Sequence, residues 1–149
     1  MATTDAAGRP LPLSTDPVDF AQDPTTGDLV IVGGKLQTVA GAGAAEQGIR
    51  RRIKRVAGEW FLDLDAGVRW LENDAVTAQQ AILAQGFDPA KADAEIRAAI
   101  LDAPAVTSVA SLAIAFDRST RKAAITFGAV CSFADLSADA LVTGAMTVP

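Results

Sequence analysis

The chain has 149 residues, 50% of them hydrophobic, and its 13 basic and 18 acidic side chains give a formal net charge of -5. That length supports one self-sufficient core, and the acidic balance argues against general affinity for a polyanion, since phosphate binding rests on an excess of cations. Histidine is absent and Cys131 is the only cysteine, which removes the usual general base near neutral pH, the usual metal ligand, any Ser-His or Cys-His pair and any intrachain disulfide.

Residues 1–17 are rich in Ala, Thr, Asp and Pro without a repeating apolar face, and read as a flexible arm that orders where a neighbour holds it, or as a frayed terminus. No secretory leader or membrane anchor is readable in them, so a soluble protein is expected. From Asp28 to Val39, two β-prone runs flank Gly33-Gly34, which predicts a β-hairpin. The following Ala40 to Gly48 has the glycine content of a dinucleotide-binding loop, but Glu46 stands where Gly or Ala is needed and would oppose a pyrophosphate. A flexible strand-to-helix connection is expected instead.

Ala45 to Ala57 sets Ile49, Ile53 and Val56 on one stripe of a helix. Arg50, Arg51, Lys54 and Arg55 cover the rest of its circumference, with Arg52 beside the stripe, and Gly58 is placed to end it. Cations this dense repel one another unless a partner surface, or Asp63, Asp65 and Glu72 folded back, lies opposite. Trp60 and Trp70 are expected to lid the core against this helix. A short helix is predicted from Asp74 to Gln85, and a second from Asp88 as N-cap and Pro89 as first residue to about Asp102, burying Ala92, Ile96, Ala99 and Ile100. Val106 to Phe116 and Arg121 to Phe133 alternate as two strands around Asp117-Arg118-Ser119-Thr120; Cys131 reads as a small core residue. The tail, residues 134–149, has Leu136, Leu141, Val142, Met146 and Val148 but no clean period, and pairs with a sheet edge or with a neighbouring chain. The fold class expected is a small α+β domain over residues 18–133, with an N-terminal hairpin, two to three helices and a C-terminal antiparallel hairpin.

The order and spacing of Gly48-Ile49-Arg50-Arg51-Arg52-Ile53, Gly58-Glu59-Trp60-Phe61-Leu62-Asp63, Gly67-Val68 and Ile96 to Pro104, followed by the two strands, resemble the baseplate wedge family of contractile phage tails. Its members are often labelled tail lysozyme-like, and the Asp28 to Val39 hairpin is similar to Mu-like members. The resemblance implies a structural protein of the tail baseplate, made in the host cytoplasm and present in six copies around the tail axis. Its implied role is to join the wedge core to the first sheath ring by lending a sheet edge to sheath subunits. It also implies an acidic-proline-basic triplet contacting the core bundle of neighbouring wedge proteins. Here that triplet reads Ala103-Pro104-Ala105, and Asp102 substitutes only in part.

Three function classes compete. Glu59 with Asp63 or Asp65 would be the carboxylate pair of a peptidoglycan hydrolase, yet the same residues answer nearby arginines and no second lobe forms a sugar groove. Nucleic-acid binding would rest on Arg50 to Arg55 alone, without exposed aromatics to stack bases. Assembly accounts for the cationic helix, the strand edges and both termini, and needs neither a cofactor nor a membrane. The interface candidates are Arg50, Arg51, Arg55, Pro104, Arg121, Ile125 and Phe127, with wedge and sheath proteins as partners and no nucleic acid.

Overall fold

A computed structural model describes residues 16–134 and 138–148. The arm expected over residues 1–17 lies outside the described residues up to residue 15, as does Leu136 of the tail.

The architecture is α+β. Strand β1 (Val18–Phe20) pairs with β4 (Thr38–Ala40), and between them β2 (Ile31–Val32) pairs with β3 (Lys35–Leu36). Gly33 and Gly34 make the β2–β3 turn at φ 58° and 75°, the left-handed values that a two-residue hairpin turn needs and glycine supplies. The predicted hairpin is therefore present, and β1 extends it at the base.

Helix α1 spans Gly41–Lys54. It starts earlier than expected and absorbs the predicted flexible connection. Ala42, Ala44 and Ala45 carry high helix propensity, and Ala44 and Ala45 are buried, so packing adds to what propensity begins. The helix also stops before Gly58. Arg55 adopts φ -70° and ψ 131°, and Val56 forms a parallel bridge with Val68. The Ala57 N–H donates to the Val68 carbonyl at 2.9 Å, and the Val68 N–H donates to the Arg55 carbonyl at 2.9 Å. Gly67 makes that closure possible, because at φ 111° a Cβ there would lie 2.5 Å from the Arg55 carbonyl oxygen.

Between α1 and α2 (Pro89–Leu101) the chain is turns and bends. The helix predicted over Asp74 to Gln85 is absent, because its donors are used across the fold. The Ile82 and Leu83 N–H groups donate to the Arg69 and Trp70 carbonyls at 2.9 and 3.1 Å, and Asn73 Oδ1 accepts from the Ala75 and Val76 N–H groups at 2.9 and 3.0 Å. Helix α2 forms as read: Asp88 accepts from the Ala90 and Lys91 N–H groups, with Pro89 in the first turn, and Ala92, Ile96, Ala99 and Ile100 are buried.

Strands β5 (Val106–Asp117), β6 (Lys122–Cys131) and β7 (Ala140–Val148) form one antiparallel sheet in the order β5-β6-β7. The tail thus pairs with β6 as a third strand. Helices α1 and α2 cover the face that carries Ala123, Ile125, Phe127 and Ala129, and one core cluster joins these to Ile49, Ile53, Ile96 and Ile100. Burying such aliphatic side chains stabilises the fold by about 1.5–3 kcal/mol each. Cys131 is buried in the same cluster, and burial, with a smaller effect from Asp139, pushes its thiol pKa up. Trp70 lids the core as expected and donates from Nε1 to the Ile53 carbonyl at 2.8 Å. Trp60 does not. The chain turns outward between Gly58 and Gly67, and the Trp60 ring instead lies under the Arg55 guanidinium, 4.6 Å from its centroid.

Candidate assembly surfaces

Three cations of the helix, Arg50, Arg51 and Arg52, find counter-charges inside the chain, but not where the sequence suggested. Arg50 pairs with Glu46 one turn back at 2.7 Å, Arg51 pairs with Asp19 on β1, and Arg52 pairs with Asp102 at 3.2 Å. Asp63, Asp65 and Glu72 form no salt bridge with these arginines. Partly exposed pairs contribute about 0–1 kcal/mol each, so their effect is mainly positional. Gln47, one turn before Arg51, adds to the hold on β1: it donates to the Phe20 carbonyl at 2.7 Å and accepts from the Gln22 N–H at 3.0 Å. Together Arg51 and Gln47 fasten the N-terminal hairpin to α1.

Arg50 and Arg51 are thus engaged within the chain while keeping part of their surface open, with the Arg51 side chain 46% exposed. Arg50 and Glu46 also line a cavity of about 620 Å³ with Gly144 of β7, which places this pair beside the last strand. Pro104 is exposed at the start of β5 and is followed by Ala105 in a left-handed conformation at φ 69°. Ala103, where the resemblance expected an acid, is 4% exposed in the core. A charge there would be desolvated, which accounts for the alanine. Asp102 beside it is taken by Arg52. Arg121 is exposed in the β5–β6 turn.

Ile125 and Phe127 are 0% and 3% exposed on the central strand, so this chain itself covers them. A partner seated on their side chains would have to open the core. The hairpin edge on the β6 side is likewise closed, since β7 pairs with β6 from Ala123↔Val148 to Cys131↔Ala140. The sheet's outer strands are β5 and β7. They differ: β5 has register shifts between Val106 and Ser108 and between Val109 and Ser111, and such bulges blunt an edge. β7 runs nine residues without a shift, and no described strand pairs with its outer side.

Sequence reading missed the exposed apolar surface. Val18, Ile31 and Val32 of the N-terminal hairpin are 62–66% exposed, and Phe61 and Leu62 at the tip of the Gly58–Gly67 loop are 83% and 69% exposed. Apolar side chains crowded onto two protruding segments mark contact surfaces. The sequence signal was mixed: Leu29-Val30-Ile31-Val32 and Trp60-Phe61-Leu62 are unbroken apolar runs, whereas Val18-Asp19-Phe20 and Leu62-Asp63-Leu64-Asp65 alternate as a half-buried strand would. Glu59, Asp63 and Asp65 lie on the same loop and are exposed. Asp63 and Asp65 line a cavity of about 300 Å³ that Glu59 does not reach, so the carboxylate pair expected of a hydrolase is not gathered into one cleft.

The β5–β6 turn is held by Asp117, whose carboxylate accepts from the Ser119 N–H, Ser119 Oγ and Thr120 Oγ1 at 2.8, 2.6 and 2.9 Å. Those bonds, that from the Ser119 hydroxyl first, hold its pKa at about 2 against an ordinary 3.8. The stabilisation is present above the unfolded value and is lost as pH falls through about 2. An NMR titration should therefore show the Asp117 carboxyl resonance shifting with a midpoint near pH 2, and Asp117→Asn should remove the transition.

A small α+β scaffold whose Arg50, Arg51 and Arg52 are paired internally, and whose protrusions and β7 edge are covered by no described strand, has the features of a structural assembly component. The chain belongs to the contractile injection system sheath initiator family, whose model matches residues 18–133. Membership assigns it a structural role in sheath assembly, with sheath subunits and other baseplate components as partners. The match carries neither the wedge position nor the lysozyme-like label of the resemblance. No curated protein matches the sequence. Among the described residues, no helix is long and apolar enough to cross a membrane.

Proposed function

We propose that the chain sits on the wedge core of the baseplate and starts the sheath by accepting a strand of the first sheath ring along the outer edge of β7. The observation that carries this reading is the regular nine-residue edge, free of bulges. An unpaired row of N–H and C=O groups is an aggregation hazard in a free protein and a ready site for β-augmentation in an assembly. Six copies around the tail axis, as the resemblance implies, present six such edges to one ring. Arg50, beside Gly144 on β7, is suited to a carboxylate on the incoming strand, because a guanidinium shares its donors between two acceptors. Arg51 and Pro104 face the neighbouring wedge proteins in this arrangement, and Arg55 holds the Trp60 loop toward them.

The test is sedimentation of sheared tails followed by identification of their components. Co-sedimentation with sheath and baseplate subunits, in a ratio near six per tail, supports the reading. A protein found as a free monomer in every fraction overturns it.

A further inference from the structure

At the hairpin end of the sheet lies a cavity of about 950 Å³ that shares only Arg121 with the interface candidates. Its floor is apolar. Leu83, Phe87 and Phe116 line it, and the two phenylalanine rings stack with centroids 4.5 Å apart and planes within 9°. Its rim is cationic, formed by Lys54 at the end of α1 and by Arg118 and Arg121 in the β5–β6 turn, all exposed. Among the described residues no aspartate or glutamate lines it, and none of these three cations is in a salt bridge. Asp117, the acid of the same turn, is turned to its own Ser119 and Thr120. In a chain of net charge -5, three unpaired cations over an aromatic floor run against the bulk composition.

We propose that this groove docks an acidic amphipathic peptide segment of another tail protein, with its apolar side on Leu83, Phe87 and Phe116 and its carboxylates on Lys54, Arg118 and Arg121. The size fits, since small-molecule pockets run to roughly 300–1,000 Å³ and this groove stands at the upper end, wide enough for several side chains of one helix or strand face. Charge complementarity selects the sign of the partner. The floor favours a peptide over a nucleic acid, because Phe87 and Phe116 are partly buried and stack on each other, which closes one face of each ring to a base. This contact is separate from strand addition at β7 and relies on the proposed function only for the source of the segment.

The test has two arms. A fluorescein-labelled peptide of alternating Leu and Glu blocks at helical spacing should bind the isolated protein roughly tenfold or more tighter than its Lys counterpart, a difference of about 1.4 kcal/mol or more. The double variant Arg118→Ser, Arg121→Asn should lose roughly tenfold of that affinity with its circular dichroism unchanged; asparagine is chosen because Arg121 has a φ of 56° and asparagine tolerates it. No binding of the acidic peptide, equal binding of both peptides, an unaffected double variant or preference for oligo-dT overturns the proposal. In the second arm a photo-crosslinking residue at Gln85, which lines the groove, is carried into assembled tails. A crosslink to an acidic amphipathic segment supports docking, and a crosslink to a basic segment or to nothing overturns it. Absence of the chain from tails defeats the proposed function instead, while the peptide arm still reads the groove.

Discussion

Phe127→Ala should lower the free energy of unfolding by about 3–5 kcal/mol, the range for removing a buried aromatic side chain. Phe127 is 3% exposed, and its partner across the β6–β7 ladder is Gly144. A Cβ built at Gly144 would lie 2.5 Å from Phe127 Cζ, so the ring occupies the space that a side chain on β7 would take. The two positions are therefore coupled. Gly144→Ala alone should be strongly destabilising, because the ring has the core behind it and cannot retreat. In the Phe127→Ala background it should cost much less, since the added methyl enters a vacated volume. Urea unfolding of the four proteins of this cycle measures the coupling, with Thr126→Ala, exposed on the opposite face, as a control expected within about 0.5 kcal/mol of the parent. A Phe127→Ala cost below about 1 kcal/mol would show that the ring is not part of the folded core.

Proline substitutions along β7 should separate folding from assembly with a period of two. Proline removes one N–H and is tolerated in a sheet only where that N–H faces away from the ladder. In an antiparallel strand the N–H groups alternate between the paired side and the open side. At Ala140, Leu141, Thr143 and Ala145, which avoid the Gly144 site that the Phe127 ring fills, substitutions whose N–H faces β6 should break that pairing and destabilise the protein. Those whose N–H faces the open side should leave the fold intact but reduce recruitment of sheath subunits by roughly tenfold or more, a loss of about 1.4 kcal/mol in binding. Thermal unfolding reads the first set, and sheath polymerisation on purified baseplates reads the second. Recruitment unchanged at every folded proline variant would remove strand addition at this edge.

Much of the fold is written in local sequence. Asp88-Pro89 announces α2, and the alternation of Ala123, Ile125, Phe127 and Ala129 announces β6, because capping chemistry and period-two burial act over a few residues. The missed elements depend on distant partners. Val142, Met146 and Val148 of β7 are buried in a clean alternation, but the inward slot between Val142 and Met146 holds Gly144, filled by a ring from β6, and the period looks broken. Asp74 to Gln85 has helical spacing, yet Ile82 and Leu83 donate to Arg69 and Trp70. Likewise, Asp19 and Asp102 answer the arginines of α1 from segments that only the tertiary fold brings near. The surfaces were less legible than the core. Exposure of Phe61, Leu62, Ile31 and Val32 contradicts their hydrophobicity, and the groove between Lys54, Arg118 and Arg121 joins a helix end to a turn on another layer.

Hydrogen exchange on β7 tests the central claim most directly. In the free protein, alternate amides of Ala140–Val148 should be slow through pairing with β6, and the intervening ones, open to water, should exchange within the first labelling interval. In assembled tails the same fast amides should become protected along the length of the strand. Fast exchange persisting at those amides in tails that contain the protein would contradict the account.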